Sequence, residues 1–525
     1  MMAEHGVQVP VEGFWINNWI ARRADITPDW LVLVDEVDGG RYITYAQLNE
    51  RADRLARFLR DRLRVEKGER VAMLAWNRVE VLDCLFACAK IGAVFAPVNA
   101  RLTAREIADY FSSIRPRVLF YEPVFEERVR ELVELVGIGE LVVIGEGGLG
   151  GSKAYEEALR EPRLKEPVRV GLEDPWMLLQ TGGTTGKPKA GIIPFRMVLW
   201  NIVNTVRDLI VPGDTTITAV PLFHIGGYTY TIPLLFWGGT NILLYRWNIE
   251  RFIELVERER PSFLFLVPAQ LKMLVEHPRF KDADFTSVRW FTSGGAAQTE
   301  EIRQAFDEKG LTLKQGYGLT EMGPGVFALD PWDARRKAGS IGKPNYLVEV
   351  RVVDDEGRDV GPGQDGELLL RGPSLFGGYW QMPDETARAF EGGWLHTGDL
   401  VRYDEEGYFY IVGRKKFVIR SGSESIYPWE VEAVLKEHPK VEDVLVIGVP
   451  DEKWGEVPKA LVVVREGEEL TGEELVAFCE GKLARYKIPR YIQFVEEIPR
   501  SPVGKIIWRE VRARYGQPTG DYVRK

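Results

Sequence analysis

The sequence predicts an α/β protein with two parts: a large N-terminal domain of layered α/β subdomains, and a small α+β C-terminal domain. Three observations carry that prediction. Short apolar runs alternate with helical patterns over the first two thirds of the chain, which predicts mostly parallel sheets covered by helices. The rhythm then changes near residue 346, where VEVRVVDDEGRDVGPGQDGELLLRG reads as β-hairpins with glycine-rich turns. Beyond residue 415 about 110 residues carry an α/β pattern of their own, enough for a small domain.

Taken in order, residues 44–63 place Tyr45, Leu48, Leu55, Phe58, Leu59 and Leu63 at helical spacing, with Thr44 and Gln47 forming a capping box. RVAMLA is a strand, a helix follows from Val79 to Lys90 and stops at Gly92, and AVFAPVN is the next strand. The same rhythm recurs as NILLY, a helix over Ile249–Glu259, SFLFLVP, a helix over Ala269–Glu276, and VRWFTSGG. In the C-terminal part, helices are expected at 428–437 and 473–484, with strands at VLVIGV, KALVVVRE and YIQFVEE. The tail at 509–525 is expected to be partly disordered. No internal repeat or low-complexity tract is present.

Composition excludes several classes. Basic residues number 68 and acidic residues 78, a net charge of −10, where a nucleic-acid protein would show a basic excess. Three cysteines, Cys84, Cys88 and Cys479, do not make a disulfide framework and fit a reducing compartment. Cys84 and Cys88 stand at i,i+4 on a helix and read as core, since a metal site needs two further ligands nearby. The N-terminus lacks a basic region followed by an apolar run, and no stretch approaches the ~18 apolar residues of a spanning helix. A cytoplasmic protein without a transmembrane segment is the expectation; peripheral membrane contact and a homodimer stay open. The 10 Asn and 11 Gln are few, a weak pointer to a thermophilic source. Glycine is in excess, 53 of 525 residues against a usual ~7%, so backbone must turn tightly or approach something closely.

The densest glycine feature is TGGTTGKPKA, residues 181–190, directly after the apolar WMLLQ. Gly182, Gly183 and Gly186 free the backbone to present N–H groups. Thr181, Thr184 and Thr185 add hydroxyls, and Lys187 and Lys189 add charge. That chemistry suits a polyphosphate. It is not a Walker A loop: that spacing needs glycine at 181 and Ser or Thr at 188, where Thr181 and Pro188 stand.

TGGTTGKPKA resembles the phosphate-binding signature of the adenylate-forming enzymes, the group of acyl-CoA synthetases, aryl-CoA ligases, peptide-synthetase adenylation domains and luciferases. Further segments match in order and spacing, so the resemblance covers nearly the whole chain. QGYGLTE (315–321) resembles the nucleotide segment and implies Gly316, Tyr317 and Gly318 against adenine, Thr320 on the α-phosphate and Glu321 on Mg²⁺, with Thr181 a further metal contact. SGGAA (293–297), with Gly294, Gly295 and Ala296, resembles the loop lining adenine and acyl sites. GWLHTGDL implies Asp399 on the ribose hydroxyls; GRKKFVIRSGSESIYP implies Arg414 on ribose and phosphate and a hinge at Lys416, dividing domains 1–415 and 416–525 and making the second a mobile lid. PRSPVGKI implies Lys505 as the adenylation lysine. The chain departs from the common pattern at Phe417, where many relatives have Asp, and at Ser423, which follows Gly422 near the channel for the pantetheine of CoA.

What the resemblance implies is ATP-dependent activation of a small-molecule carboxylic acid to acyl-AMP with release of pyrophosphate, then transfer to CoA by domain alternation, with ATP, Mg²⁺ and CoA as cofactors. PLFHIGG (221–227) resembles the segment bordering the acyl pocket and adds His224 to the catalytic set. It contains no acidic residue where amino-acid-activating relatives hold the substrate ammonium, and a buried ammonium needs a partner. Tyr228, Met322 and Val326 are candidate apolar walls. A medium- or long-chain fatty acid, and so a place in fatty acid metabolism, is the favoured expectation. The alternatives are an aryl acid of benzoate or cinnamate type, or an acyl-AMP ligase that passes its product to a carrier protein or an amine. A non-catalytic relative has no need of Lys505, Glu321, Asp399 and Arg414 together.

Overall fold

The computed structural model describes residues 14–524 apart from 38–39, 182–188, 209, 422–423, 452–453, 481, 484 and 502–503. Gly182, Gly183, Thr184, Thr185, Gly186, Lys187 and Gly422 therefore lie outside the described residues. The chain divides into two compact units, Met1–Glu349 with Arg371–Gly393, and Val350–Leu370 with Trp394–Lys525.

The larger unit holds three sheets, each with parallel strands and at least one antiparallel pair at an edge. The seven-stranded sheet runs Lys153–Ala154, Glu140–Val143, Val118–Tyr121, Arg70–Leu74, Val94–Pro97, Pro175–Thr181 and Lys189–Pro194. Its last two strands form an antiparallel hairpin that pairs Thr181 with Lys189, so residues 182–188 are its connection. A second sheet runs Phe263–Leu266, Trp290–Ser293, Leu313–Leu319, Gly323–Ala328 and Lys343–Pro344, parallel over its first three strands. The third joins Thr215–Thr218, Thr240–Leu243, Leu31–Asp35 and Arg41–Thr44. The expected parallel layers are thus present.

Local sequence accounts for the helices. Over Tyr45–Arg57 the Thr44 hydroxyl accepts the Gln47 N–H and the Gln47 carboxamide accepts the Thr44 N–H, the capping box read from sequence. The helix then widens to a π turn over Phe58–Arg62 before Leu63. Val79–Ile91 is buried on every side. Its charged residues are consequently paired: Arg51 grips Asp83, which also accepts the Tyr155 hydroxyl, and Lys90 meets Asp53 at 2.9 Å. Gly92 ends this helix at φ +69°, and a Cβ there would lie 2.9 Å from Lys67, so both conformation and space call for glycine. Cys84 and Cys88 are buried with sulfurs 4.0 Å apart, as expected of core residues.

The smaller unit pairs Gly366–Arg371, Trp394–Tyr403 and Phe409–Arg414 in antiparallel register, the hairpin-rich part foreseen from sequence. A six-stranded sheet is built around Gly455–Val464, flanked by Val441–Asp451 and Tyr491–Phe494. It carries apolar clusters around Val446, Val462 and Ile492, and around Leu445, Ile447 and Leu461. Two expectations are corrected here. The helix expected at 473–484 spans Gly472–Cys479, because Glu480 turns extended just before Gly481 in the sequence. The tail is ordered: Trp508–Tyr515 is helical, buries Val511, and Tyr522–Val523 adds an edge strand beside Tyr491 and Ile492. Among the described residues no helix is long and apolar enough to cross a membrane.

Candidate active site

Hairpin geometry brings the first set of residues together. Lys189, opening the strand after the phosphate loop, pairs with Glu385 and lies 4.8 Å from the centre of the Tyr379 ring. The Tyr379 hydroxyl donates to Glu321 Oε1 at 2.8 Å. The result is a continuous polar chain, Glu385–Lys189–Tyr379–Glu321. Lys189 holds the Glu385 carboxyl below its usual range. Burial, reinforced by Glu321, raises the Tyr379 phenol well above its usual range, so it is neutral and donates. A Cβ on Gly191 would sit 3.4 Å from the Thr320 methyl and 3.6 Å from that of Thr181, so these two hydroxyl residues flank one glycine.

The nucleotide segment is a tight antiparallel hairpin. Tyr317 pairs with Phe327, their rings meeting edge-on at 5.8 Å, and Thr320 and Glu321 occupy the turn. Gly318 is sterically required: a Cβ would lie 2.5 Å from both Cα and O of Pro324. Gly294 follows the strand Trp290–Ser293, and its hypothetical Cβ would lie 3.3 Å from the Gly316 carbonyl and 3.4 Å from Phe265. Phe265 also approaches Gly226, two residues beyond His224. Gly294, Gly316 and the His224 loop therefore converge through one aromatic ring. Gly295, at φ +86°, and Ala296 are exposed. His224 is half-buried and packs edge-on to Phe223 at 4.8 Å.

A cavity opens beside this set, with about 370 Å³ of empty space counting its mouth. Met177, Met197, Ile202, Tyr228, Ile232 and Pro233 make most of its apolar wall. Among the described residues no acidic side chain lines it. Of the three walls expected from sequence, Tyr228 is present; Met322 and Val326 are buried but do not line it, and Pro324 does.

In the smaller unit Asp399 and Arg414 face each other across paired strands, with Arg414 Nε 2.6 Å from Asp399 Oδ1. Asp399 is buried and Arg414 exposed. Lys415–Phe417 forms a single 3₁₀ turn, and the Phe417 ring stacks on Trp508 with centroids 3.6 Å apart. Lys505 is exposed in a turn closed by Ser501 and Gly504, and Arg500 ties that turn to Asp443 at 2.8 Å.

Sequence reading missed Tyr379 and Glu385. The available signal was the aromatic after the paired glycines in FGGYW, but only pairing with Gly191 shows that it faces the phosphate hairpin.

The description AMP-binding enzyme matches residues 20–380, and AMP-binding enzyme C-terminal domain matches residues 430–505. The chain belongs to the AMP-binding enzyme family. It is 38% identical to a feruloyl-CoA synthase of an Amycolatopsis species over 95% of this chain and 99% of that one. It is 37% identical to an indoleacetate–CoA ligase of Aromatoleum aromaticum over 96% and 99%. To a long-chain-fatty-acid–CoA ligase FadD13 of Mycobacterium tuberculosis it is 35% identical over 95% and 98%. Among solved structures, ATP-bound MatB from Rhodopseudomonas palustris superposes with a TM-score of 0.86 at 29% identity, covering 95% and 99%. This family member is an acyl-CoA synthetase, an adenylate-forming ligase that uses ATP, Mg²⁺ and CoA.

The described residues suit Mg²⁺. That ion favours one or two carboxylates with waters and phosphate oxygens over an all-protein cage. Glu321, held by the Tyr379 hydroxyl, would offer one such carboxylate, and no cluster of three ligating side chains occurs among the described residues.

Proposed function

We propose that this enzyme is an aryl- or arylalkanoyl-CoA ligase. The observation that carries the reading is the apolar wall of the cavity, where Met177, Met197, Tyr228 and Ile232 offer flat, polarisable and branched surfaces of the kind that pack against a planar ring. The feruloyl- and indoleacetate-activating relatives support it. The likeness to a long-chain-fatty-acid ligase supports the second reading, a fatty acid substrate.

The chemistry has two steps. A carboxylate oxygen attacks the α-phosphorus of ATP, the new P–O bond forms, and pyrophosphate leaves with the electrons of the broken P–O bond. The acid is already ionised at neutral pH, so no general base is needed. Negative charge spreads over phosphoryl oxygens in the transition state, and fixed positive charge and hydrogen-bond donors lower its energy. Bound Mg²⁺ offsets part of that charge. Glu321 and Thr181 are its protein contacts in this reading, with Tyr379 orienting Glu321. Thr320 contacts the α-phosphate, and Lys505 supplies the cation that stabilises the transition state. The phosphate loop Thr181, Gly182, Gly183, Thr184, Thr185, Gly186, Lys187 and Lys189 holds the β- and γ-phosphates. Gly294, Gly295, Ala296, Gly316, Tyr317 and Gly318 bound the adenine, and Asp399 and Arg414 hold the ribose. His224 borders the substrate carboxylate. In the second step the CoA sulfur, having lost its proton, attacks the acyl carbonyl; the C–S bond forms and AMP leaves. Lys416 acts as the pivot between the steps, with Gly422 beside the pantetheine.

The test is AMP release with CoA across acetate, octanoate, palmitate, benzoate and cinnamate. The aryl reading expects cinnamate or benzoate to lead. Preference for palmitate favours the second reading instead.

A further inference from the structure

The turn Lys415–Phe417 is held at both ends. At its start, Lys415 Nζ lies 2.8 Å from Glu367 Oε2. Glu367 is buried, and its other oxygen accepts the N–H of Gly398, the neighbour of Asp399. His396 Nδ1 stands 3.4 Å from the Glu367 Oε2 that meets Lys415. The first residue of the turn is thereby fixed to the strand Trp394–Tyr403, which carries Asp399. At the other end the half-buried Phe417 ring stacks on half-buried Trp508, with planes 21° off parallel. Trp508 stands three residues after Lys505 and packs, with Ile506, against the apolar cluster of Leu445, Ile447 and Leu461. The backbone back to Lys505 has little freedom. Ile507 N–H donates to Pro499 O at 2.9 Å, and Ser501 accepts the Lys505 N–H on its hydroxyl while donating its own N–H to Lys505 O. A shift of Trp508 is therefore passed to Lys505. An aromatic pair fixes orientation as well as burying area, so a leucine would keep the burial and lose the orientation.

We propose that Phe417 is a positioning residue for adenylation: by stacking on Trp508 it sets the Lys505 segment relative to the Asp399–Arg414 pair. The inference rests on the assignment of Lys505 to the adenylation step and goes beyond it, because it gives a purpose to the aromatic ring at the place where many relatives carry Asp. Displacing a group by about 1 Å from its working geometry can cost 10²-fold in rate, so a loosened ring pair has kinetic reach. The stack acts through Lys505, so its loss touches the first half-reaction and spares the second.

The experiment compares the wild type with Phe417→Leu, which keeps apolar bulk and loses the stack, and with Phe417→Tyr, which keeps the ring. Two rates are measured with whichever of the five acids above the wild type activates fastest: pyrophosphate exchange, and conversion of its pre-made adenylate with CoA to the thioester. Phe417→Leu should lower kcat of exchange about fivefold or more, and leave both KM for ATP and the thioester step within about twofold. Phe417→Tyr should stay within about twofold of the wild type in both assays. Unchanged exchange in Phe417→Leu overturns the proposal. So does an equal fall in both half-reactions, or a Phe417→Tyr as slow as Phe417→Leu, since either assigns the ring a merely structural role. Lys505→Ala supplies the discriminating background. There Phe417→Leu should change exchange by less than about twofold, because the group through which it acts is gone. A further fivefold fall overturns the proposal and leaves the Lys505 assignment intact. Unchanged exchange in Lys505→Ala alone removes that assignment and the proposal with it.

Discussion

At the scale of single residues, the polar chain around Tyr379 has direct consequences. Tyr379→Phe removes the O–H that holds Glu321 and leaves the ring beside Lys189. Pyrophosphate exchange should fall about tenfold and need more Mg²⁺ for half-maximal rate; an unchanged Mg²⁺ dependence would show that Glu321 does not depend on this bond. Lys505→Ala should lower pyrophosphate exchange by about 10²-fold or more, the usual cost of removing a group that stabilises transition-state charge. The same variant should still convert pre-made acyl-AMP to thioester. Unchanged exchange removes Lys505 from the adenylation step. The sequence singles out Lys505, Glu321 and Asp399 as candidates because each stands in a dense local pattern. Tyr379 was not legible, since its meaning comes from a bridge to Gly191, 188 positions earlier in the chain.

At the scale of elements, the Thr44 cap, the helix stop at Gly92 and the parallel rhythm were legible because each rests on local chemistry: a hydroxyl, a left-handed residue, an apolar run. The tail was misread. Trp508–Tyr515 carries four charged residues and only one buried side chain, Val511, so its composition resembled a solvated end. What secures it is tertiary: Val511 in an apolar cluster, and Phe417 stacked on Trp508. The glycine excess acquires specific uses at this scale. Gly318→Ala would place a methyl 2.5 Å from the Pro324 backbone, which cannot withdraw. The variant should lose on the order of 2 kcal/mol of stability and most pyrophosphate exchange; wild-type behaviour in both would mean that the hairpin opens freely. At the turn Lys415–Phe417, Lys416→Pro should spare pyrophosphate exchange and lower thioester formation about tenfold or more. Equal loss of both activities contradicts the pivot.

At the scale of the whole molecule, the chain is net negative yet handles ATP, pyrophosphate and CoA, all anions, so binding rests on local cations and donors and not on a general basic field. Each unit carries its own core, and the smaller one has a titratable weak point. Glu432 accepts the Val446 N–H at 2.8 Å, with Lys436, Asp443 and Arg500 around it, and burial raises its carboxyl to about 7. Its folded pKa thus lies above the unfolded value near 4.5. Its stabilising contribution is full below about pH 4.5, declines as the unfolded chain ionises, and is lost as pH rises through about 7, on the order of 3 kcal/mol across that window. Glu432→Gln keeps the acceptor for Val446 and should raise the unfolding midpoint at pH 8 but not at pH 4; no gain at pH 8 contradicts the assignment. The central claim concerns the acid that fills the cavity. It is tested most directly by internal competition: equimolar cinnamate and palmitate with ATP, Mg²⁺ and limiting CoA, and the two thioesters quantified by mass at low conversion. Their ratio reads the ratio of kcat/KM values. The account predicts that cinnamoyl-CoA predominates at least tenfold. Predominance of palmitoyl-CoA would contradict it.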